Sequence, residues 1–557
     1  MSLLFNTSFQ DLLLAHWDDI ESAKRGTTIS GDVITIADIV ASSTYISKTS
    51  VTPSTLEAAT KSYEVLDEKI VGGEVIYGVN TGYGGSADQR SGDMSDLQQN
   101  LFHLLLAGII DEAPTDDNRV HGTLDSGRSE TRRLDYSAEE RFDSGNEDEF
   151  HDKTPLQVRN EEFDPIFKTT MPETWIRAAM LVRLQSLAFG ASGVRPDIIN
   201  SLVQLLNANI VPVTPLCGSI SASGDLQPLA YLGALMQGKT FAMAHCGKQN
   251  NGRARHIQRA DVALREAGIE PIEIKAKEGL AIVNRQCLNL LALSQLITAM
   301  TVEALGGSTE SFHPFLSRMR PHMGQGKTAK TILHHLQGSR LTLDPSSEDT
   351  GKLRQDRYST RTAPQWIGPI MEDFLLAHTQ ILTEMNSVTD NPLIDPISRT
   401  ILHGGNFQAK AITSAVEKLR LGLQSLGRLS FSQLTELINP ATNNGLPANL
   451  TANDPSKSFL YKGADIMAAA LTSELGVLAN PVGSHVQTAE MGNQGVNSLA
   501  LVSARYTAEA VEVVSQLMAV QIVVLCQALE LRAGLERSQP GRGAGGEKQG
   551  EEGGVPW

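Results

Sequence analysis

Cysteine is scarce in this 557-residue chain: Cys217, Cys246, Cys287 and Cys526 are widely separated and form no C-x-x-C pair. That argues against a disulfide framework or a zinc ribbon and fits a reducing, cytoplasmic setting. Positive charge is in deficit, with 47 Lys+Arg against 63 Asp+Glu and a net charge of −16. Such a field repels phosphate backbones and anionic lipid, so neither nucleic acid nor a membrane surface is an expected partner. A run of about 18 uncharged apolar residues is missing too, and the N-terminus has no basic leader region, so neither membrane insertion nor secretion is expected.

What is present suits a large buried core, since 41% of residues are hydrophobic and 20% charged. The length fits roughly two to four domains or one large assembly of long helices. Between Pro481 and Pro540, apolar residues recur at Leu499, Val502, Tyr506, Ala510, Val513, Leu517, Val520, Val524, Ala528 and Leu531 in steps of three or four, the period of one long amphipathic helix. A second stripe, Ile412, Val416, Leu419, Leu423 and Leu426, continues to Ile438 before Pro440 stops it. Thr170-Met171-Pro172-Glu173 reads as a capping box that opens a third helix. Strand-like text is limited to short pieces such as Val33–Ile36 and Val75–Val79. The expected fold is all-α.

Two stretches break that character. Residues 116–164 hold 15 acidic and 7 basic residues with few apolar ones, and residues 534–557 include eight glycines. Text this polar or this glycine-rich does not repay the entropy of ordering, so both are expected to be flexible.

Residues 218–231 read Gly-Ser-Ile-Ser-Ala-Ser-Gly-Asp-Leu-Gln-Pro-Leu-Ala-Tyr. The segment resembles the signature of the aromatic amino acid ammonia-lyases, in which Ala-Ser-Gly cyclises to methylidene-imidazolone (MIO); here that tripeptide is Ala222-Ser223-Gly224. The residue types suit the chemistry, because glycine leaves its nitrogen free to reach the alanine carbonyl and serine loses water to give an exocyclic alkene. Further blocks follow in family order from about residue 30 to Arg532: Tyr77–Gly84, Arg354–Arg361, Thr389–Leu393, His403–Phe407 and Gln487–Gln494.

The resemblance implies a role for each block. Eliminating ammonia from an α-amino acid needs an electrophile to activate the substrate and a base for a weakly acidic β-proton. The ring formed from Ala222, Ser223 and Gly224 would supply the first by capturing the amine or, by an alternative route, the aromatic ring. Tyr77 would be the base, and Tyr358 the second tyrosine. Arg361 presents a fork suited to the substrate carboxylate. Asn284, Gln355, Asn391, Phe407, Lys462, Glu490 and Gln494 carry over as pocket residues, with Glu490 near the amine. Leu104 and Leu105 fall at the position that selects the substrate ring, and two leucines leave a phenol hydroxyl without a partner, which favours phenylalanine over tyrosine.

The resemblance further implies a fumarase/aspartase-like helical architecture, with a MIO-bearing part over residues 1–285 and a bundle of long helices over 286–533. It implies a homotetramer with shared active sites and the deamination of L-phenylalanine to trans-cinnamate. His403 and His485 have no second ligand at usable spacing, so no metal is expected, and the Gly82–Gly85 turn lacks the lysine of a nucleotide loop. The chain departs from the family pattern after Asn284, at the 116–164 insertion and at its C-terminal end. An aminomutase, a tyrosine- or histidine-type lyase, a fumarase-type lyase and a catalytically inactive scaffold are the rival readings.

Overall fold

In the computed structural model of the chain, the described residues are 9–82, 169–220, 227–247, 255–273, 288–343, 355–454, 459 and 461–538. The 116–164 insertion and the last residues of the expected tail, 539–557, lie outside them.

The N-terminal part sets α1 (Phe9–Ala23), α2 (Ile36–Thr44) and α3 (Pro53–Val71) beside α4 (Glu173–Ala188) and α5 (Pro196–Ala208), followed by α6 (Gln227–Met236) and α7 (Ala260–Ala267). The strands are short. β1 (Thr27–Ile29) pairs in parallel with β2 (Thr49–Val51); β3 (Val211–Pro212), β4 (Met243–Cys246) and β5 (His256–Arg259) form an antiparallel sheet; β6 (Leu393–Asp395) and β7 (Thr400–Leu402) form a hairpin.

Three local expectations are corrected. The Val33–Ile36 text is not a strand: Thr35 caps α2, its hydroxyl accepting the Asp38 amide while the Asp38 carboxylate accepts the Thr35 amide. Reciprocal capping of this kind holds the residue before a helix more firmly than β-branching favours a strand. Val75–Val79 is a turn, because Gly78 takes a φ of +65° and the Asn80 side chain bonds the backbone at Ile76 and Glu74. Thr170 does not cap α4, whose N-cap is Pro172 without a side-chain bond. Glu173 is drawn instead into an ion pair with Arg255.

The bundle contains α8 (Leu288–Ala304), α9 (Met323–His335), α10 (Ala363–Met385), α11 (Lys410–Ile438), α12 (Lys462–Leu478) and α13 (Ala500–Ser538). α11 lies at its centre, against α10, α12 and α13, and α13 also covers α8. The stripe Ile412, Val416, Leu419, Leu423 and Leu426 is buried, as are Ala510, Val513, Leu517, Val524 and Ala528 on α13. Each leucine so buried contributes about 1.5–3 kcal/mol relative to exposure. The α13 stripe drifts at both ends: Tyr506 is 38% exposed, and Arg532 rather than Leu531 is buried, donating to the carbonyls of Ala304, Asn443 and Asn444. The helix also continues past Gly534 to Ser538, since a single glycine inside a helix costs only about 1 kcal/mol.

By length and composition α13 is apolar enough to cross a membrane, with a mean hydropathy of 1.7 over 18 residues. Three of its inward polar side chains are bonded within the bundle: Ser503 and Thr507 accept from Arg420, and Gln521 donates to Gln433. α9 and α10 cross backbone to backbone, where a Cβ added at Gly324 would come within 2.1 Å of the Gly368 carbonyl oxygen.

Candidate active site

Tyr77 is held by its neighbours. Ile76 and Val79 are fully buried in a small apolar cluster with Val65 and Leu66 of α3 and Ile394 of β6, which leaves Tyr77 between them half-buried at the surface. The Thr81 hydroxyl accepts the Gly78 amide at 3.0 Å and donates to the Gly82 carbonyl at 2.9 Å. Tyr77 itself donates its amide to Nε2 of His403 at 3.3 Å.

His403 follows β7, and its neighbour Gly404 donates its amide to Oδ1 of Asn391 at 3.0 Å. The sequence blocks around Tyr77, Asn391 and His403 therefore meet. The adjoining Asp390 is buried and receives both terminal nitrogens of Arg183 on α4, at 3.1 and 3.3 Å. This paired fork anchors the Asn391 loop to the N-terminal helices. Phe407 is half-buried just before α11.

Glu490 and Gln494 form a second group. Gln494 is buried and donates to Oε2 of Glu490 at 3.0 Å, and Asn493 donates to the same oxygen at 3.1 Å. Arg420, buried on α11, clamps both ends of the segment that carries them, donating to Asn480 O at 3.1 Å and to Ser503 O at 2.9 Å. Glu417 accepts the amides of Val482 and Gly483 at 2.7 and 2.8 Å. Leu499 donates to Ile220 O at 3.0 Å, which joins this segment to the chain entering Ala222-Ser223-Gly224.

That tripeptide lies outside the described residues, as do Leu104, Leu105 and Asn284. Its flanks suit a cyclised turn: Ser219 is buried, Ile220 is pinned by Leu499, and α6 begins at Gln227. Two held ends, with alanine, serine and glycine in the order ring closure needs, fit the MIO group.

Tyr358 and Arg361 share a single helical turn, with the guanidinium 5.0 Å from the ring centre. The turn is braced from behind. Asp356 accepts the Ser308 amide at 2.9 Å, Arg357 donates to Thr442 O at 2.7 Å, and the Ser359 hydroxyl donates to Glu436. Burial pushes the Glu436 carboxyl above its ordinary value. Tyr358 is 70% exposed, and Gln355 and Lys462 are exposed as well, Lys462 with its ammonium 5.7 Å from the Phe459 ring centre.

Sequence reasoning missed Arg183, Asp390, Glu417 and Arg420. A signal existed for two of them: Arg183 interrupts the apolar run 178–184, and Arg420 adjoins Leu419 on a buried stripe. Buried arginines in such positions must find carboxylates or carbonyls.

The fold is thus an all-α bundle of long helices beside which blocks from distant parts of the sequence meet. Residues 34–548 match the model of the family described as aromatic amino acid lyase, and the chain belongs to that family. It is 46% identical over 535 residues to a phenylalanine ammonia-lyase of Aspergillus hancockii, covering 93% of this chain and 70% of that protein. It is 40% identical over 523 residues to a phenylalanine aminomutase (L-β-phenylalanine forming) of Talaromyces islandicus, covering 91% and 67%. The crystal structure of phenylalanine ammonia-lyase from the yeast Rhodosporidium toruloides superposes with a TM-score of 0.76 at 36% identity, covering 94% of this chain and 72% of that one. The helix-rich fold is that of this solved lyase.

Proposed function

We propose that the protein is a carbon–nitrogen lyase that converts L-phenylalanine to trans-cinnamate and ammonia. Beyond family membership, the observation that carries this reading is the bond from Leu499 to Ile220, which brings the segment of Glu490 and Gln494 to the entrance of Ala222-Ser223-Gly224. The chain that carries Glu490 is thereby tied, at Leu499, to the chain that leads into the tripeptide, which supports a carboxylate and an electrophile serving one site.

When formed, MIO supplies the electrophile that activates the substrate toward loss of ammonia. The protein's side chains do the rest. Tyr77, set in a turn braced by Thr81 and Asn80, takes the β-proton at its phenolic oxygen. Arg361 holds the substrate carboxylate through its two-pronged fork. Glu490, fixed by Gln494 and Asn493, stabilises the positive charge on the amine. Leu104 and Leu105, at the position that the family resemblance assigns to ring selection, offer a phenol hydroxyl no partner, which supports phenylalanine over tyrosine.

Tyr358, Gln355 and Lys462 stand exposed on one chain, which supports an assembly in which another copy covers them. A homotetramer with shared sites has this property. The aminomutase relative motivates a second reading, in which ammonia returns at the β-carbon. Incubation of the purified chain with L-phenylalanine tests both: cinnamate with ammonia supports the lyase, β-phenylalanine supports the aminomutase, and neither product leaves a non-catalytic scaffold. Ser223→Ala, which cannot form the alkene, is the matched control.

A further inference from the structure

The geometry points to His403 as the positioning residue of the Tyr77 turn, acting on the backbone of the base while its own imidazole takes no part in proton transfer. The Tyr77 amide donates to Nε2 of His403 at 3.3 Å. The bond uses the lone pair of the imidazole nitrogen as its acceptor. The next residue, Gly404, holds Asn391 through its amide at 3.0 Å. One two-residue stretch thus fixes a position on each of two blocks that lie 314 residues apart in numbering, Tyr77 and Asn391.

The stretch has a rigid support. β6 and β7 pair from Leu393–Leu402 to Asp395–Thr400. Ile394 is buried against Leu66, Ile76 and Val79, and its amide bonds to Ala191 O at 3.0 Å. Arg183 grips Asp390 on the other side. The hairpin cannot shift without disturbing the apolar cluster beneath Tyr77, whereas Tyr77 sits on a turn with a glycine at positive φ on one side. Apolar packing of Ile76 and Val79 fixes the depth of that turn. The 76–77 peptide is held on both sides: its carbonyl accepts the amides of Val79 and Asn80 at 3.1 and 3.3 Å, and its N–H is held by His403. The His403 bond is the tether that comes from outside the turn, and on it the direction of the tyrosine side chain toward the hairpin depends.

This inference rests on the proposed lyase reading for its kinetic test, and a second readout is independent of turnover. His403 is exposed, so its replacement leaves the bundle core intact. His403→Ala removes the acceptor, and His403→Gln restores one through its amide oxygen. In the lyase assay, His403→Ala is expected to lower kcat about ten-fold or more, since small errors in positioning a base are costly. KM for L-phenylalanine is expected to stay within about two-fold. His403→Gln is expected to recover most of the kcat.

Hydrogen exchange of the full chain at the Tyr77 amide reads the tether directly: faster in His403→Ala, near the unsubstituted rate in His403→Gln. Unchanged exchange in His403→Ala overturns the tether, whatever the activity. Accelerated exchange with kcat unchanged, or with kcat equally low in both variants, overturns the catalytic consequence. If the unsubstituted chain yields no product, the lyase reading fails and the exchange comparison still decides the tether.

Discussion

The amide of Leu499 donates to the carbonyl of Ile220 at 3.0 Å, so the chain leaving the Glu490–Gln494 turn is joined to the chain entering Ala222-Ser223-Gly224. From the other side, the Thr413 hydroxyl on α11 donates to the carbonyl of Ser498 at 2.6 Å. The site segment is therefore held between the N-terminal part and the bundle, and disturbance of either reaches it.

Removing one partner of the Arg183–Asp390 pair leaves a buried charge uncompensated. Both side chains are about 5% exposed, at 6% and 4%, so solvent screens little. Asp390→Ala is expected to lower unfolding stability by about 3–5 kcal/mol in a denaturant titration. A loss below about 1 kcal/mol, the worth of a surface pair, would contradict the buried geometry.

The α9–α10 crossing yields a matched pair of glycine substitutions. Gly324→Ala places a Cβ 2.1 Å from the Gly368 carbonyl oxygen, and Gly326→Ala meets nothing closer than 3.8 Å. The first is expected to destabilise by at least about 1–3 kcal/mol through overpacking. The second, in a helix interior, is expected to be neutral or to stabilise by about 0.5–1 kcal/mol. Thermal unfolding of the two variants side by side checks the crossing.

His245, buried on β4, has its pKa lowered by burial, with the Arg255 charge adding to the lowering and the Glu173 carboxylate opposing it. An unfolded histidine titrates near ~6.5. Below that pH the unfolded chain takes up a proton that folded His245 resists, so stability falls with falling pH until the folded value is passed. Urea unfolding between about pH 7 and about pH 5.5 is expected to show a steeper loss in the unsubstituted protein than in His245→Gln. Equal slopes would remove His245 from this role.

Arg361→Lys keeps the charge and loses the fork. A bond to a charged group is worth about 1.5–3 kcal/mol, so KM for L-phenylalanine is expected to rise about ten-fold to a hundred-fold with a smaller change in kcat. An unchanged KM would place the substrate carboxylate elsewhere.

The long helices were legible because their stripes are set by the 3.6-residue period: 412–426 buried as expected, and α11 ended before Pro440. Val33–Ile36 and Thr170–Glu173 misled because competing side chains decide such short text. Thr35 found Asp38, and Glu173 found Arg255, a residue 82 positions away. The site blocks were legible as motifs; of their anchors, Arg183 and Arg420 stood out as charges in apolar text, but their partners did not. Arg183 meets Asp390 across 207 positions, and no local pattern announces a partner at that distance.

The central claim is that Ala222-Ser223-Gly224 becomes an electrophile in this chain. Intact mass of the purified full-length protein, with Ser223→Ala as the unmodified reference, tests it most directly. The account predicts a deficit of two waters relative to the sequence mass. The full sequence mass, with no water lost, would contradict it.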